Sequence, residues 1–195
     1  GGVVHWQASA ADQPIVFDTG QVIFGWIAAF DVSGNQDYLD AAIRAGNWLC
    51  EIQHSRSYWE RHQHLDRIKV IDTRVAWALL ELHRRSGENR LREAATRNLE
   101  WAVSQQNAGG WFNYCSFKEG QDPITHTLAY TAEGLLEGGM YLGEEKYIAS
   151  ATKMLEALLK KQRPDGALAS TYGSDWKATS RSSCLTGNCQ VARLW

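Results

Sequence analysis

No apolar stretch in this 195-residue chain approaches the ~18 residues needed to cross a bilayer. No charged-then-apolar leader opens it, although Gly1-Gly2 without a methionine leaves room for a removed upstream segment. Charge of one sign is also missing. A formal net charge of −2, with basic residues spread over the chain, predicts no attraction to nucleic acid or to an acidic membrane surface. The four cysteines, Cys50, Cys115, Cys184 and Cys189, lack the spacing of a disulfide framework or of a paired CxxC metal site. A reducing cytoplasm is the expected setting. Hydrophobic residues at 44% and charged residues at 22% complete an ordinary globular composition, sized for one domain over 1–195.

What the chain does have is repetition, which is read first because missing it mistakes the whole fold. VFDTGQVIFGW, IDTRVAWALLELH and ITHTLAYTAEGLL begin three similar segments, and Thr19, Thr73 and Thr127 stand 54 residues apart. SCLTGNCQVARLW is a fourth copy, with Thr186 after 59 residues. Asp18, Asp72, His126 and Leu185 precede these threonines. Each of the first three segments is followed by an amphipathic one: YLDAAIRAGNWLCEIQ, LREAATRNLEWAVSQQ and YIASATKMLEALLKKQ. They align without a gap on Ala42, Ala95 and Ala151, on Arg44, Arg97 and Lys153, and on Gln53, Gln106 and Gln162.

Apolar residues at helical spacing give these second segments one buried and one wet face. VIFGWIAAF and VAWALLELH are apolar almost all round, as in a helix packed on several sides. The predicted fold is therefore all-α: three helical hairpins, each an inner apolar helix and an outer amphipathic one, plus one extra inner helix, forming a partial (α/α) toroid. Short polar turns inside each hairpin force antiparallel neighbours. The connections between hairpins, 54–70, 107–124 and 163–183, are long and so are candidates for function. Asp18, Asp72 and Thr125 stand at apparent helix starts, where a short polar side chain caps a free backbone N–H.

If successive hairpins turn the same way, the inner-helix N-termini and the long loops share one end. That end gathers carboxylates, histidines, arginines and flat aromatics, a set that suits a sugar. Asp18 and Asp72 are the candidate acid and base, with His126 and Tyr130 as alternatives for proton abstraction beside a carboxylate. Gln21, Trp59, Arg61, Arg74, Trp111, Tyr114, Trp176 and Asn188 are the candidate substrate-binding residues. Arg61 and Arg74 could hold a uronate through bidentate contacts. For any one of the three loop tryptophans, Trp59, Trp111 and Trp176, a lid on the core is the better reading than a ligand platform. His62 and His64 read as a solvated loop, and Cys50, Cys184 and Cys189 as core. No cofactor is expected.

RAGNWLCEIQHSRSYW, from Arg44 to Trp59, resembles the QW motif of the squalene and terpene cyclases, with Ser57 in place of its glycine. The second copy keeps Arg97, Trp101, Gln106, Gly110 and Trp111, and the third keeps Lys153, Leu158, Gln162 and Gly166. FDTGQV, DTRVAWALLEL, PITHTLAYTAEGLLE and CLTGN resemble a bacterial prenyltransferase-like group associated with surface-polysaccharide genes. Six-hairpin glycosidases and glucuronyl epimerases share the hairpin architecture. The resemblance implies a toroid and leaves the chemistry open, since the DxDD acid of the protonating cyclases and the prenyltransferase zinc pattern are both missing. Three readings follow, in order of preference. The first is a hydrolase, lyase or epimerase on a bacterial polysaccharide or its precursor. The second is a non-catalytic glycan-binding or assembly module. The third is a terpenoid cyclase-like or zinc-dependent cyclase-like enzyme, with zinc on Cys115, His126 and Cys184 or Cys189, loosely similar to the lanthionine cyclases.

A closed ring of six such hairpins needs about 320 residues at this repeat, so the pattern is expected to be incomplete at both ends. Gly2 sits where the glycine of a preceding motif would fall, and the last helix lacks its outer partner. A homodimer completing the ring is the expected assembly.

Overall fold

Seven helices follow from this pattern in the computed structural model, which describes residues 13–195; Gly2 lies outside the described residues. The inner helices are α1 (Val16–Ser33), α3 (Thr73–Ser86), α5 (Thr125–Leu142) and α7 (Leu185–Leu194). The outer ones are α2 (Gln36–Ile52), α4 (Asn89–Ser104) and α6 (Glu145–Leu159). No strand forms among the described residues, only isolated bridges within the long loops. The expected all-α arrangement of three hairpins and a lone inner helix is what the chain adopts.

Each hairpin closes the same way. Gly34, Gly87 and Gly143, all at φ near 70°, follow the inner helices and return their N–H groups to the last turn. This left-handed cap ends a helix with no side-chain clash. The outer helices bury a small-residue stripe, such as Leu39, Ala42, Ala45, Gly46 and Leu49 in α2. Inner helix α5 buries eleven residues spread around its circumference, as expected where neighbours press from several sides. Inner helices pack in chain order, α1 on α3, α3 on α5 and α5 on α7, while α2, α4 and α6 form the outer layer.

Two repeated polar joints hold the hairpins in register. Gln53 Nε2 donates to Ser57 O and, at 2.9 Å, to Ala94 O on the next outer helix. Gln106 Nε2 likewise donates to Gly110 O and, at 2.9 Å, to Ser150 O. Gln162 keeps only the local bond, to Gly166 O. The repeated glutamine thus fixes the loop turn and ties one outer helix to the next, satisfying backbone groups that burial would otherwise leave unpaired. The second joint runs the other way. Each long loop returns across the inner-helix start of its own hairpin: Val16 N donates to His62 O and Val70 N to Tyr114 O. Both acceptors have left-handed backbones, at φ 62° and 60°.

Several local expectations are corrected. Helix α1 begins at Val16, so Asp18 lies inside the first turn rather than capping it. Asp72 ends a short 3-10 turn, Val70–Asp72, and its carboxylate makes no cap bond. Thr125 donates its hydroxyl to Ala169 O at 2.6 Å instead of capping α5. Cys184 is half-buried and its sulfur accepts from Gly187 N, Cys189 is exposed, and Cys50 is half-buried beside Arg90 O. Cys184 and Cys189 are not core, while Cys50 packs against the edge of the core. The short α7 has a partner on one side only, which leaves its other face wet.

Candidate functional site

A cavity of about 210 Å³ opens where the N-termini of α1 and α5 meet the first two long loops. Phe17, Phe117 and Tyr130 give it aromatic walls, and Asp18, His64, Lys69 and His126 bring ionisable groups to it. Asp18 and His126 come from equivalent positions two hairpins apart, each one residue before the repeated threonine. The threonines hold these N-termini in place: Thr19 Oγ1 donates to Ile15 O at 2.7 Å and Thr127 Oγ1 to Ile124 O at 2.8 Å.

Asp72, the third residue of that set, stands behind the wall. It is 1% exposed, and its carboxylate accepts from the side-chain amide of Gln63, which does line the cavity. Burial pushes the Asp72 carboxyl up to about 7, opposed by the charge of Lys69 and the Gln63 bond. Its other oxygen and the Gln63 carbonyl oxygen are buried without a hydrogen-bond partner. Lys69, 2% exposed, donates its ammonium to the carbonyl oxygens of His64 and Arg67. Burial lowers its pKa, while the Asp72 carboxylate works in the opposite direction. Gln63, Lys69 and Asp72 thus anchor the loop that delivers His64, a loop with four left-handed non-glycine residues, Ser57, His62, Leu65 and Asp66.

Across the cavity, Gln190 of α7 holds two groups. Its Oε1 lies 2.7 Å from His126 Nδ1, and its amide bonds the Tyr130 hydroxyl, partly offsetting the upward push of burial on that phenol. With Nδ1 donating to an amide oxygen, the imidazole presents Nε2 as an acceptor, the form a general base needs. The His126 and Tyr130 rings lie 4.2 Å apart, and Phe17 sits 5.1 Å from Tyr130 on the other side.

Below this lies an ionic network. Glu133, 4% exposed, pairs with both Arg74 and Arg193. Arg74 also donates to Gln21 Oε1 at 2.7 Å and lies over the Tyr130 ring at 4.9 Å. Its charge is already matched, so the expected uronate clamp is not poised there.

The other candidates separate. Trp59 is fully buried, its indole N–H bonding Leu49 O at 2.8 Å. Trp111 and Trp176 pack edge to face at 5.2 Å, and Trp176 donates to Gly109 O. All three are core lids and not sugar platforms, because their polar edges are spent on backbone carbonyls or their faces on each other. Arg61 is exposed outside the cavity lining. Asn188 accepts from Leu168 N at 3.1 Å and holds the last loop. Tyr114 is 42% exposed and borders other grooves. His64, expected in a solvated loop, is half-buried at the cavity. The proposed zinc set is not assembled: Cys115 lies buried on the Thr131 and Thr127 hydroxyls, its thiol pushed up to about 11 by burial. No three metal-ligating side chains cluster among the described residues. Sequence reasoning missed Gln63, Lys69, Glu133 and Gln190, which carry no repeat signature.

No protein-family model matches the chain. No curated protein matches it either. Solved structures do match its fold. A possible member of the GH105 family from Salmonella enterica superposes with a TM-score of 0.73 at 15% identity, over 98% of this chain and 58% of that one. The cellobiose 2-epimerase of Spirochaeta thermophila gives 0.72 at 16%, over 92% and 52%. The GH76 α-mannanase of Bacteroides thetaiotaomicron gives 0.71 at 11%, over 98% and 56%. The chain shares the all-α toroid fold of these structures and spans little more than half the length of each. No described helix is long and apolar enough to cross a membrane.

Proposed function

We propose that this chain is a carbohydrate-active toroid protein that performs acid–base chemistry on a sugar held in the cavity between α1 and α5. The observation that carries the reading is the convergence of Asp18 and His126 on one aromatic-walled hollow. Asp18 is the acid–base carboxylate and His126 the base, with Gln190 fixing its tautomer and Tyr130 flanking it. Asp72 cannot touch a ligand from behind Gln63, so it acts as a positioning group and the two-carboxylate scheme gives way to a carboxylate–imidazole one. Aromatic walls accept the C–H faces of a pyranose, while Gln63 and Lys69 border the site for its hydroxyls. A lyase or epimerase step, which moves a proton at carbon, suits this pair better than hydrolysis by two carboxylates. The substrate class is a bacterial polysaccharide or its precursor. The solved structures of like fold, which include a cellobiose epimerase and a mannanase, agree with a glycan ligand.

The test is a thermal-shift screen with bacterial oligosaccharides and uronic acids, followed by turnover measurements on any sugar that binds. A ligand at ~100 times its dissociation constant stabilises by roughly 2.7 kcal/mol. Turnover lost in both Asp18→Asn and His126→Ala, with folding intact, supports the reading. Binding without turnover in the parent chain favours a glycan-binding module instead. Two copies completing a ring in the cytoplasm remain part of the proposal. Light scattering that gives a monomer mass across micromolar concentrations overturns the dimer.

A further inference from the structure

The first long loop is pinned at two points. Trp59 is buried with its indole on Leu49 O, and Val70 N donates to Tyr114 O. Between these pins, residues 60–69 bring His64 and Lys69 to the cavity. His62, Leu65 and Asp66 in this span have left-handed backbones, a strain that persists only where other contacts hold it. Lys69 ties the span to itself through the carbonyls of His64 and Arg67. Val16 N on His62 O and Gln63 on Asp72 tie it to the starts of the inner helices.

The contact of Gln63 with Asp72 is short of one proton. The Gln63 amide donates to Trp59 O at 3.2 Å and to Asp72 Oδ2. Turning that amide over would set its oxygen against two acceptors, so its orientation is fixed. Gln63 Oε1 and Asp72 Oδ1 are left over, both closed to solvent and neither meeting a donor. Buried acceptors without donors are costly, and here both sit on groups already bonded to each other. A proton on Asp72 Oδ1 satisfies both at once. It donates to Gln63 Oε1 and closes a ring of two hydrogen bonds, the pairing of a carboxylic acid with a primary amide.

The surroundings favour the neutral acid. Asp72 is 1% exposed, and burial raises its carboxyl to about 7. Lys69 is the charge that opposes this, from the same loop, and its ammonium is committed to backbone carbonyls. Arg74 of α3 is paired with Glu133 of α5. Cys115 of the second loop, held on the α5 threonines, is neutral, its thiol pushed up to about 11. Asp18 of α1 and His126 of α5 line the cavity that Gln63 separates from Asp72.

We propose that Asp72 and Gln63 form a proton-dependent latch, a two-bond acid–amide pair that holds residues 60–69 over the cavity and releases them when the proton leaves. Ionisation removes the Asp72 donor, sets two oxygens face to face and leaves a buried charge. The strained span then swings out and takes His64 and Lys69 off the cavity wall. The latch is closed in acid and opens as pH rises through about 7. It rests on the carbohydrate reading only in what it regulates, the access of a sugar to Asp18 and His126.

Infrared difference spectra and hydrogen exchange of the full chain test this without any sugar. At pH 6 the parent is expected to show a protonated-carboxyl C=O band that Asp72→Asn lacks and that fades by pH 8.5. Exchange across 60–69, corrected for the intrinsic chemical rate, is expected to quicken at least tenfold in the parent between these pH values, while α6 stays protected. Asp72→Asn offers an N–H donor where the acid has its O–H, so its pair keeps both bonds. Its loop is expected to stay within twofold over the same range. Gln63→Leu should leave the loop fast at both pH values. A circular dichroism melt establishes whether it folds, and Asp72→Asn carries the test if it does not. Identical infrared bands in the parent and Asp72→Asn overturn the latch, as does an equal pH response of 60–69 in both chains. Loss of protection in α6 to the same degree as the loop makes the opening global and also overturns it. Each of these failures leaves the sugar chemistry of Asp18 and His126 standing.

Discussion

The Nδ1 of His126, on the first turn of α5, lies 2.7 Å from the side-chain oxygen of Gln190 on α7. The lone inner helix therefore completes the site, although it has no outer partner of its own. Gln190→Ala should free the imidazole to take either tautomer and rotate away from the cavity. A turnover loss of about tenfold or more is expected, against roughly 100-fold or more for His126→Ala. Because Gln190 acts through His126, the double variant should lose little beyond His126→Ala alone. Steady-state kinetics on the sugar found by thermal shift measures all three, and fully additive losses would show that Gln190 acts separately.

The pH dependence of stability should carry the signature of Asp72. Its carboxyl is raised from 3.8 to about 7 by burial, so the folded state binds a proton that the unfolded chain releases. The stabilising contribution is complete below about pH 4 and is lost as pH rises through about 7. At about 1.4 kcal/mol per pKa unit, the loss is a few kcal/mol. Lys69, whose ammonium burial disfavours, works in the opposite sense at more alkaline pH. Asp72→Asn keeps an acceptor for Gln63 and has no proton to lose. Urea melts from pH 4 to 8 should show the parent weakening toward pH 7 and the variant nearly flat. An equal slope in both would place the titration elsewhere.

The architecture was legible because it is periodic. Thr19, Thr73 and Thr127 recur at one spacing, and the glutamines at Gln53, Gln106 and Gln162 repeat one hydrogen-bond joint. A pattern of this kind survives in sequence because each unit must solve the same packing problem. Asp18, His126 and Tyr130 could be placed at one end from that repeat alone. Non-periodic contacts could not be read so. Gln63 reaches Asp72 from a loop, and Gln190 reaches His126 across 64 positions. Both depend on how loops and the last helix fold back. The tryptophans misled for a related reason. A loop position does not say which way a ring points, and the backbone carbonyls of Leu49 and Gly109 claim the indoles of Trp59 and Trp176.

Close approach of the inner helices gives a stability prediction. A Cβ built on Gly134 of α5 would lie 2.2 Å from the Thr73 carbonyl carbon and 2.5 Å from Arg74 N. Those are backbone atoms that cannot turn aside. Thr73 Oγ1 also donates to Thr131 O at 3.2 Å, so α3 and α5 are bonded at the same point. Gly134→Ala should force the helices apart and cost about 1–3 kcal/mol or more, as overpacking does. Gly25 of α1 has open space around its would-be Cβ, and Gly25→Ala should instead gain up to about 1 kcal/mol in helix propensity. Thermal melts of the two variants should move in opposite directions.

The turn that follows each repeated glutamine makes the last prediction. Gly110 and Gly166 occupy it at φ 85° and 82°, and Ser57 occupies it at φ 75°. Each donates its N–H three residues back, to Asn107, Arg163 and His54 respectively. A serine carries the left-handed penalty of about 1–2 kcal/mol that glycine escapes, less the extra freedom glycine loses on folding. Ser57→Gly should therefore stabilise the chain by about 1 kcal/mol, a gain readable in the urea midpoint with an unchanged slope. The reverse change in the second copy should cost more. A Cβ on Gly110 would press within 3.0 Å of Lys153 O on the neighbouring outer helix, adding contact strain to the backbone term. If Ser57→Gly destabilises, the serine hydroxyl must hold a bond worth more than the backbone relief. The joint in the first hairpin would then differ in kind from the other two.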